Sequence, residues 1–243
     1  MNRYERLALG NESIIALVGL VWGVVLAHSS VWWAGLVAGA AGAQTLFTQA
    51  RHSHQEERER GRTTSRAAYK QRELLEVVSK TSRRLEDVEL LSGHEPSAPL
   101  AYVSYTRVVG IVISEVVVNP KEYEAALRHE CAHVSLHHRG RGTLMLLMIT
   151  LSLYAGGAMC MTGHWALGAL GVVSTLSVIG LVMRTRRLWE FSADAEAAKA
   201  GREVLEGLEG LLLVIHKANS GRTSWLDSHP SAIGRLAQLN STP

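Results

Sequence analysis

The chain has 243 residues, a formal net charge of +3, 47% hydrophobic residues and 19% charged residues. This length suits one ordinary domain, or a small soluble domain with a few membrane spans. Apolar and charged residues are separated along the chain, which favours a membrane protein over a soluble globular one. The basic residues lie beside the apolar runs and form no aromatic-interleaved patch, so no nucleic-acid partner is expected.

Residues 1–50 are predicted to form an N-terminal transmembrane hairpin. Two apolar runs, at about 13–27 and 31–47, are nearly free of charge, and each approaches the lower limit of roughly 17 residues for a membrane span. Arg3 and Arg6 precede the first run as in a secretory signal, but no small-residue cleavage site follows. We therefore expect an uncleaved anchor; the alternative is a buried hairpin of a soluble protein.

Residues 51–98 are rich in charge and are predicted to form an amphipathic helical segment followed by a Gly/Pro/Ser linker. Residues 99–141 should hold strands and a helix. Val, Ile, Tyr and Thr dominate residues 101–118, which predicts two short strands with a break near 107–110. Asn119 and Pro120 then predict an N-cap and a first turn, for a helix that runs to about His138.

Residues 142–183 are predicted to form a second transmembrane hairpin, with its turn at 162–164. Residues 184–243 have the pattern of a soluble, helical C-terminal part. If four spans are present, all the basic clusters fall on one side of the membrane and both short turns on the other. This distribution predicts an integral membrane protein, of the bacterial inner membrane, whose soluble part faces the cytoplasm.

The strongest local motif is H-E-x-x-H, formed by His129, Glu130 and His133. Histidines four residues apart lie on one face of a helix, so both imidazoles can reach the same metal ion. The adjacent glutamate can hold the attacking water and accept its proton. Zn²⁺ is the metal that suits such a site. The alternative is a histidine-rich helix end without a metal.

A catalytic zinc site needs a third protein ligand. The position six residues after His133, where an extended motif would require a third histidine, is Arg139. His137 and His138 follow on the same helix and are expected to be exposed polar residues at its end. A carboxylate further along fits better: Glu190 follows the last apolar run at the same membrane boundary, and Asp194, one turn later, can orient a histidine ligand.

The order of these elements resembles the HtpX and CAAX-prenyl protease family of membrane zinc metallopeptidases, which are of the gluzincin type. It runs from an apolar hairpin through an H-E-x-x-H helix and a second apolar hairpin to an E-x-x-x-D helix. A late His-Pro pair with a following arginine, here His229, Pro230 and Arg235, completes it. The resemblance spans nearly the whole chain, and motif order makes it specific.

The resemblance implies Zn²⁺ at His129, His133 and Glu190, with Glu130 as the general base and Asp194 in support. It also implies that His229 and Arg235 lie near the cleft, where they would stabilise the oxyanion. The chain departs from the family in one respect, because no Asn-Ala-Phe-like segment precedes the metal helix. A strand-like run at 108–115 is instead expected to offer an edge for an extended peptide.

The predicted fold class is therefore a mainly α membrane protein, with four transmembrane helices and a small α+β zincin-like catalytic domain in the cytoplasm. The predicted function is zinc-dependent hydrolysis of peptide bonds in membrane or membrane-proximal proteins. Two alternatives remain: a signalling peptidase that cleaves a repressor, which the lack of an extracytoplasmic sensor domain disfavours, and a non-catalytic metal-binding scaffold, which the presence of Glu130 disfavours.

Overall fold

The computed structural model describes residues 1–29, 119–218 and 229–241, six separate positions between 32 and 48, and three strands between 88 and 113. Most of the second predicted apolar run, most of the charged segment and the linker after it lie outside the described residues. The described elements, in chain order, are α1 (Arg3–Ala27), β1 (Val88–Gly93), β2 (Ala101–Ser104), β3 (Arg107–Ile113), α2 (Pro120–Ser135), α3 (His138–Met161), α4 (Trp165–Ala198), α5 (Arg202–Ala218) and α6 (Ala232–Asn240).

The chain divides into two compact units. The first unit comprises residues 3–52 and 140–188, and the second comprises residues 53–139 and 189–243. Both α3 and α4 contribute to both units, because the division falls two residues into α3 and ten residues before the end of α4.

Three helices of the described part, α1, α3 and α4, are long and apolar enough to cross a membrane. They contain 25, 24 and 34 residues, whereas about 20 residues suffice for a span. Large apolar side chains such as Leu20 and Leu176 remain more than half exposed on them, as a lipid environment allows. The turn between α3 and α4 falls at residues 162–164, as predicted, and Gly163 has the positive φ of 82° that glycine adopts without strain.

Small residues set the packing within the first unit. A Cβ atom on Gly171 of α4 would overlap the backbone of Gly156 on α3, so the two helices approach at a point where neither has a side chain. Trp22 of α1 packs in a cluster with alanines of α3, and its indole N–H donates to Ser174 Oγ at 2.8 Å. Close backbone approach and a satisfied indole therefore hold these helices together.

A buried ion cluster joins α1 and α3 in the first unit. The guanidinium of Arg141 contacts the carboxylates of both Glu5 and Glu12, with Nε at 2.7 Å from Glu12 Oε2. All three side chains are largely buried. Because Glu5 and Glu12 are seven residues apart, they lie on one face of α1 and can share a single cation.

In the second unit, α2 begins as the sequence predicts. Asn119 is the N-cap, its side-chain oxygen accepts from the backbone N–H of Lys121 at 3.1 Å, and Pro120 occupies the first turn. Gly207 of α5 lies against the backbone carbonyl of Lys121, where a Cβ atom would overlap it. The core of this unit consists of Ala125, Ala197, Val204, Leu208, Leu212, Ala232 and Leu239, contributed by α2, α4, α5 and α6.

The strands form a small sheet in the order β1-β3-β2, with β1 parallel and β2 antiparallel to β3. Two strands, β2 and β3, lie within 101–118 as predicted, but the break predicted near 107–110 is wrong because β3 runs through those residues. Val88 belongs to β1, so the end of the charged segment is a strand where a helix was predicted. The expected peptide-binding edge at 108–115 is also wrong, because β3 is the central strand and pairs on both sides.

The predicted fold class is wrong. In the part of the chain that the structure describes, three helices rather than four can cross a membrane. Most of residues 31–47, the predicted second span, lies outside that part. The α+β zincin-like plan predicted for the second unit is wrong as well, because its described residues are mainly helical and the small sheet contributes no candidate metal ligand. Ala125 of α2 and Ala197 of α4 lie in the same core cluster, and Gly207 of α5 lies against α2.

Candidate metal centre

Three predicted metal ligands come together in the second unit. One ligand atom each from His129, His133 and Glu190 lies within 4.8 Å of the others. The two histidines are one turn apart on α2, and Glu190 lies near the end of α4. The Nε2 atom of His129 is 3.4 Å from Glu190 Oε2, and the Nε2 atom of His133 is 3.5 Å from Glu190 Oε1. We call these three residues the ligand cluster.

The outward nitrogen of His129 is held by a carboxylate. Its Nδ1 lies 2.8 Å from Asp194 Oδ1, and because a carboxylate only accepts, Nδ1–H donates. Asp194 is in turn held by Arg235, whose Nε and Nη2 donate to its two oxygens at 2.7 and 2.6 Å. When His129 is neutral, this arrangement leaves its Nε2 without a proton and directed at the ligand cluster.

The outward nitrogen of His133 is held by another histidine. His133 Nδ1 and His138 Nδ1 are 2.9 Å apart, and the ring of His138 stacks on the indole of Trp189 with centroids 4.9 Å apart. His138 is only 2% exposed, so the prediction of an exposed residue at a helix end is wrong for it. His137 has a φ of 56°, and this left-handed backbone conformation separates α2 from α3. Helical periodicity could not reveal this contact, because residues five apart do not share a helix face.

His229 and Arg235, the last two predicted site residues, differ in their exposure to solvent. His229 lies before α6, is 71% exposed, and its Nδ1 is 3.1 Å from Glu190 Oε1. Arg235 lies on α6 and is buried, with Nη1 at 3.4 Å from Glu190 Oε2 in addition to its bonds with Asp194. His229 therefore borders solvent beside the cluster, whereas Arg235 is engaged with two carboxylates.

The pKa values of the two histidine ligands diverge in the protein without a metal. Burial alone would lower the pKa of His129, but the charge of Asp194 and the hydrogen bonds to Asp194 and Glu190 together outweigh burial and raise that pKa to about 10. Burial and the positive charge of His129 together lower the pKa of His133 to about 3. Burial also raises the pKa of Glu130, which lies between them on α2. A raised carboxyl pKa suits a group that must take up a proton near neutral pH.

The donor set of the cluster fits a catalytic zinc ion. Two imidazole nitrogens and one carboxylate oxygen form the His₂Glu set of zinc peptidases, and such a set leaves the fourth position open for water or substrate. The remaining nitrogen of each histidine has a hydrogen-bonding partner, Asp194 or His138, as metal-ligating imidazoles require. The cluster can therefore hold a metal ion.

Comparison with protein families supports this chemistry. The sequence pattern of Peptidase family M48 matches residues 64–242, which is most of the chain and contains the ligand cluster and Glu130. A comparison with curated proteins gave no match. Members of this family are metallopeptidases, which act on proteins or peptides. Because the family pattern covers far more than half of the sequence, this chain belongs to peptidase family M48.

Proposed function

We propose that this chain is an HtpX-like, membrane-embedded zinc endopeptidase, which hydrolyses peptide bonds of membrane or membrane-proximal proteins on the cytoplasmic side. The observation that carries the proposal is the convergence of His129, His133 and Glu190 beside Glu130, in a chain of a metallopeptidase family. The three apolar helices of the described part support the membrane location.

When bound, Zn²⁺ would supply Lewis acidity and lower the pKa of water at the open position. His129, His133 and Glu190 would hold it. Glu130 accepts a proton from the attacking water and then delivers it to the leaving amine. Its raised pKa, caused by burial, makes the carboxylate a stronger base for the first transfer.

Asp194 and Arg235 keep His129 in place, since the bidentate ion pair fixes the carboxylate that receives Nδ1–H. His229 is the exposed group at the border of the cluster, where a hydrogen-bond donor can stabilise the oxyanion that develops on the substrate carbonyl. Arg235 has its guanidinium occupied by carboxylates, so we assign it to positioning rather than to the oxyanion.

The test is Glu130→Gln in the purified full-length protein, with zinc content and proteolysis of an unstructured protein substrate as readouts. We expect proteolysis to fall at least about 10²-fold, while bound zinc stays at the wild-type level. Glu124→Gln is the matched control, because Glu124 lies on the same helix and pairs with Arg128 at the surface. Retained proteolysis in Glu130→Gln would refute the assignment of the base.

The same measurement separates the enzyme from a metal-binding scaffold. A scaffold would bind zinc through the ligand cluster but show no proteolysis in the wild type. A second experiment identifies the substrate and tests whether it is a repressor, as it would be for a signalling peptidase. Proteins that accumulate in cells expressing Glu130→Gln, and not in cells expressing the wild type, are candidate substrates.

A further inference from the structure

His133 presents one ring nitrogen to the ligand cluster and the other to His138. Its Nε2 lies 3.1 Å from His129 Nε2 and 3.5 Å from Glu190 Oε1, while its Nδ1 lies 2.9 Å from His138 Nδ1. An imidazole that offers the Nε2 lone pair to a metal must keep its proton on Nδ1. That proton therefore points at His138.

His138 must then accept at Nδ1 and carry its own hydrogen on Nε2. A neutral histidine does this, because one ring nitrogen accepts while the other donates. The two ligand histidines thus have different outer partners: His129 donates to a carboxylate and His133 to a neutral ring.

The position of His138 is fixed from two directions. Its ring lies parallel to the indole of Trp189, with an interplanar angle of 10°, and Trp189 directly precedes Glu190. On the chain itself, the left-handed backbone of His137 interrupts the helix, so that His138 lies beside His133 although five residues separate them. One side chain therefore connects the helix that carries both histidine ligands with the helix that carries the carboxylate.

We propose that His138 is a positioning residue, which accepts the Nδ1–H of His133 and so holds Nε2 of that ligand towards the metal. The inference rests on the proposed function in one respect, that the ligand cluster binds zinc. His138 itself is not one of the candidate ligands, and its Nδ1 is bonded to His133.

The experiment measures metal binding by full-length His138→Ala and His138→Asn, with zinc affinity from chelator competition and the absorption spectrum of bound Co²⁺. We expect His138→Ala to bind zinc 10- to 100-fold more weakly, as loss of an outer-shell partner does. The ligand-field bands of bound Co²⁺ should shift, since the imidazole is no longer held. Asn offers a side-chain oxygen as acceptor, so His138→Asn should recover part of both readouts.

His216→Ala is the control, since His216 lies in the last turn of α5, a helix that carries none of the candidate ligands. It should keep wild-type affinity and spectrum. Wild-type affinity and an unchanged Co²⁺ spectrum in His138→Ala would overturn the inference. If that variant does not fold, a folded His138→Asn protein that binds no zinc would overturn the inference, because its amide oxygen still offers an acceptor to His133. Failure of the wild type to bind zinc would instead refute the proposed function.

Discussion

Asp194 and Arg235 are a buried ion pair beside the ligand cluster, and the consequence of breaking it can be predicted. Arg235→Met would leave the Asp194 carboxylate buried with only His129 as a partner, which costs about 3 kcal/mol or more of unfolding free energy. Urea unfolding of the metal-free protein in detergent measures this loss. Adding Asp194→Asn to Arg235→Met should restore part of the stability, because a neutral amide needs no guanidinium partner. A free energy equal to that of the wild type in Arg235→Met would contradict the prediction.

Metal binding should release a proton from His129. Its pKa of about 10 without a metal means that it is protonated at neutral pH, whereas His133, with a pKa of about 3, is already neutral. Zinc must displace the proton of His129, so the apparent affinity should rise about tenfold per pH unit from neutral pH and level off near pH 10. Calorimetric titration in two buffers of different ionisation enthalpy counts the protons. Equal heats in both buffers would show that His129 is not protonated.

At the scale of elements, the start of α2 could be predicted and its end could not. The cap at Asn119 and Pro120 is local chemistry, which a sequence displays. The end depends on the left-handed conformation of His137, a backbone state that few residues other than glycine adopt. The predicted helix therefore continued to His138 and made that side chain exposed, whereas the break brings it into the site.

The α3–α4 contact in the first unit depends on glycine. Gly171→Ala should destabilise the protein by about 1–3 kcal/mol, because its methyl group would meet the backbone of Gly156 and backbone cannot move aside as a side chain can. Gly180→Ala on the same helix is the control, as a Cβ atom there meets nothing within 4 Å. Thermal unfolding in detergent, monitored by circular dichroism, compares them. Equal melting temperatures of the two variants would contradict the predicted contact.

At the scale of the whole molecule, the proximity of the two histidine ligands could be predicted from the sequence, because H-E-x-x-H fixes both on one helix face. The proximity of Glu190 to these histidines could be expected only from its position at the same membrane boundary and from motif order. The sheet was harder: alternating apolar residues revealed two strands, but not that β3 lies between β1 and β2. Pairing of β1 with β3 joins residues that are far apart in sequence, and such pairing leaves no local pattern.

Orientation in the membrane follows from the α3–α4 hairpin alone. Arg139 and Arg141 flank its start and three arginines follow its apolar part, whereas the turn at 162–164 has no basic residue other than His164. The positive-inside rule therefore predicts that both flanks lie in the cytoplasm and the turn outside. In a background where Cys131 and Cys160 are serine, a membrane-impermeant maleimide should label Thr162→Cys in intact cells. Ser241→Cys, exposed after α6, should be labelled only once the membrane is permeabilised. The reverse pattern would place the ligand cluster outside the cytoplasm.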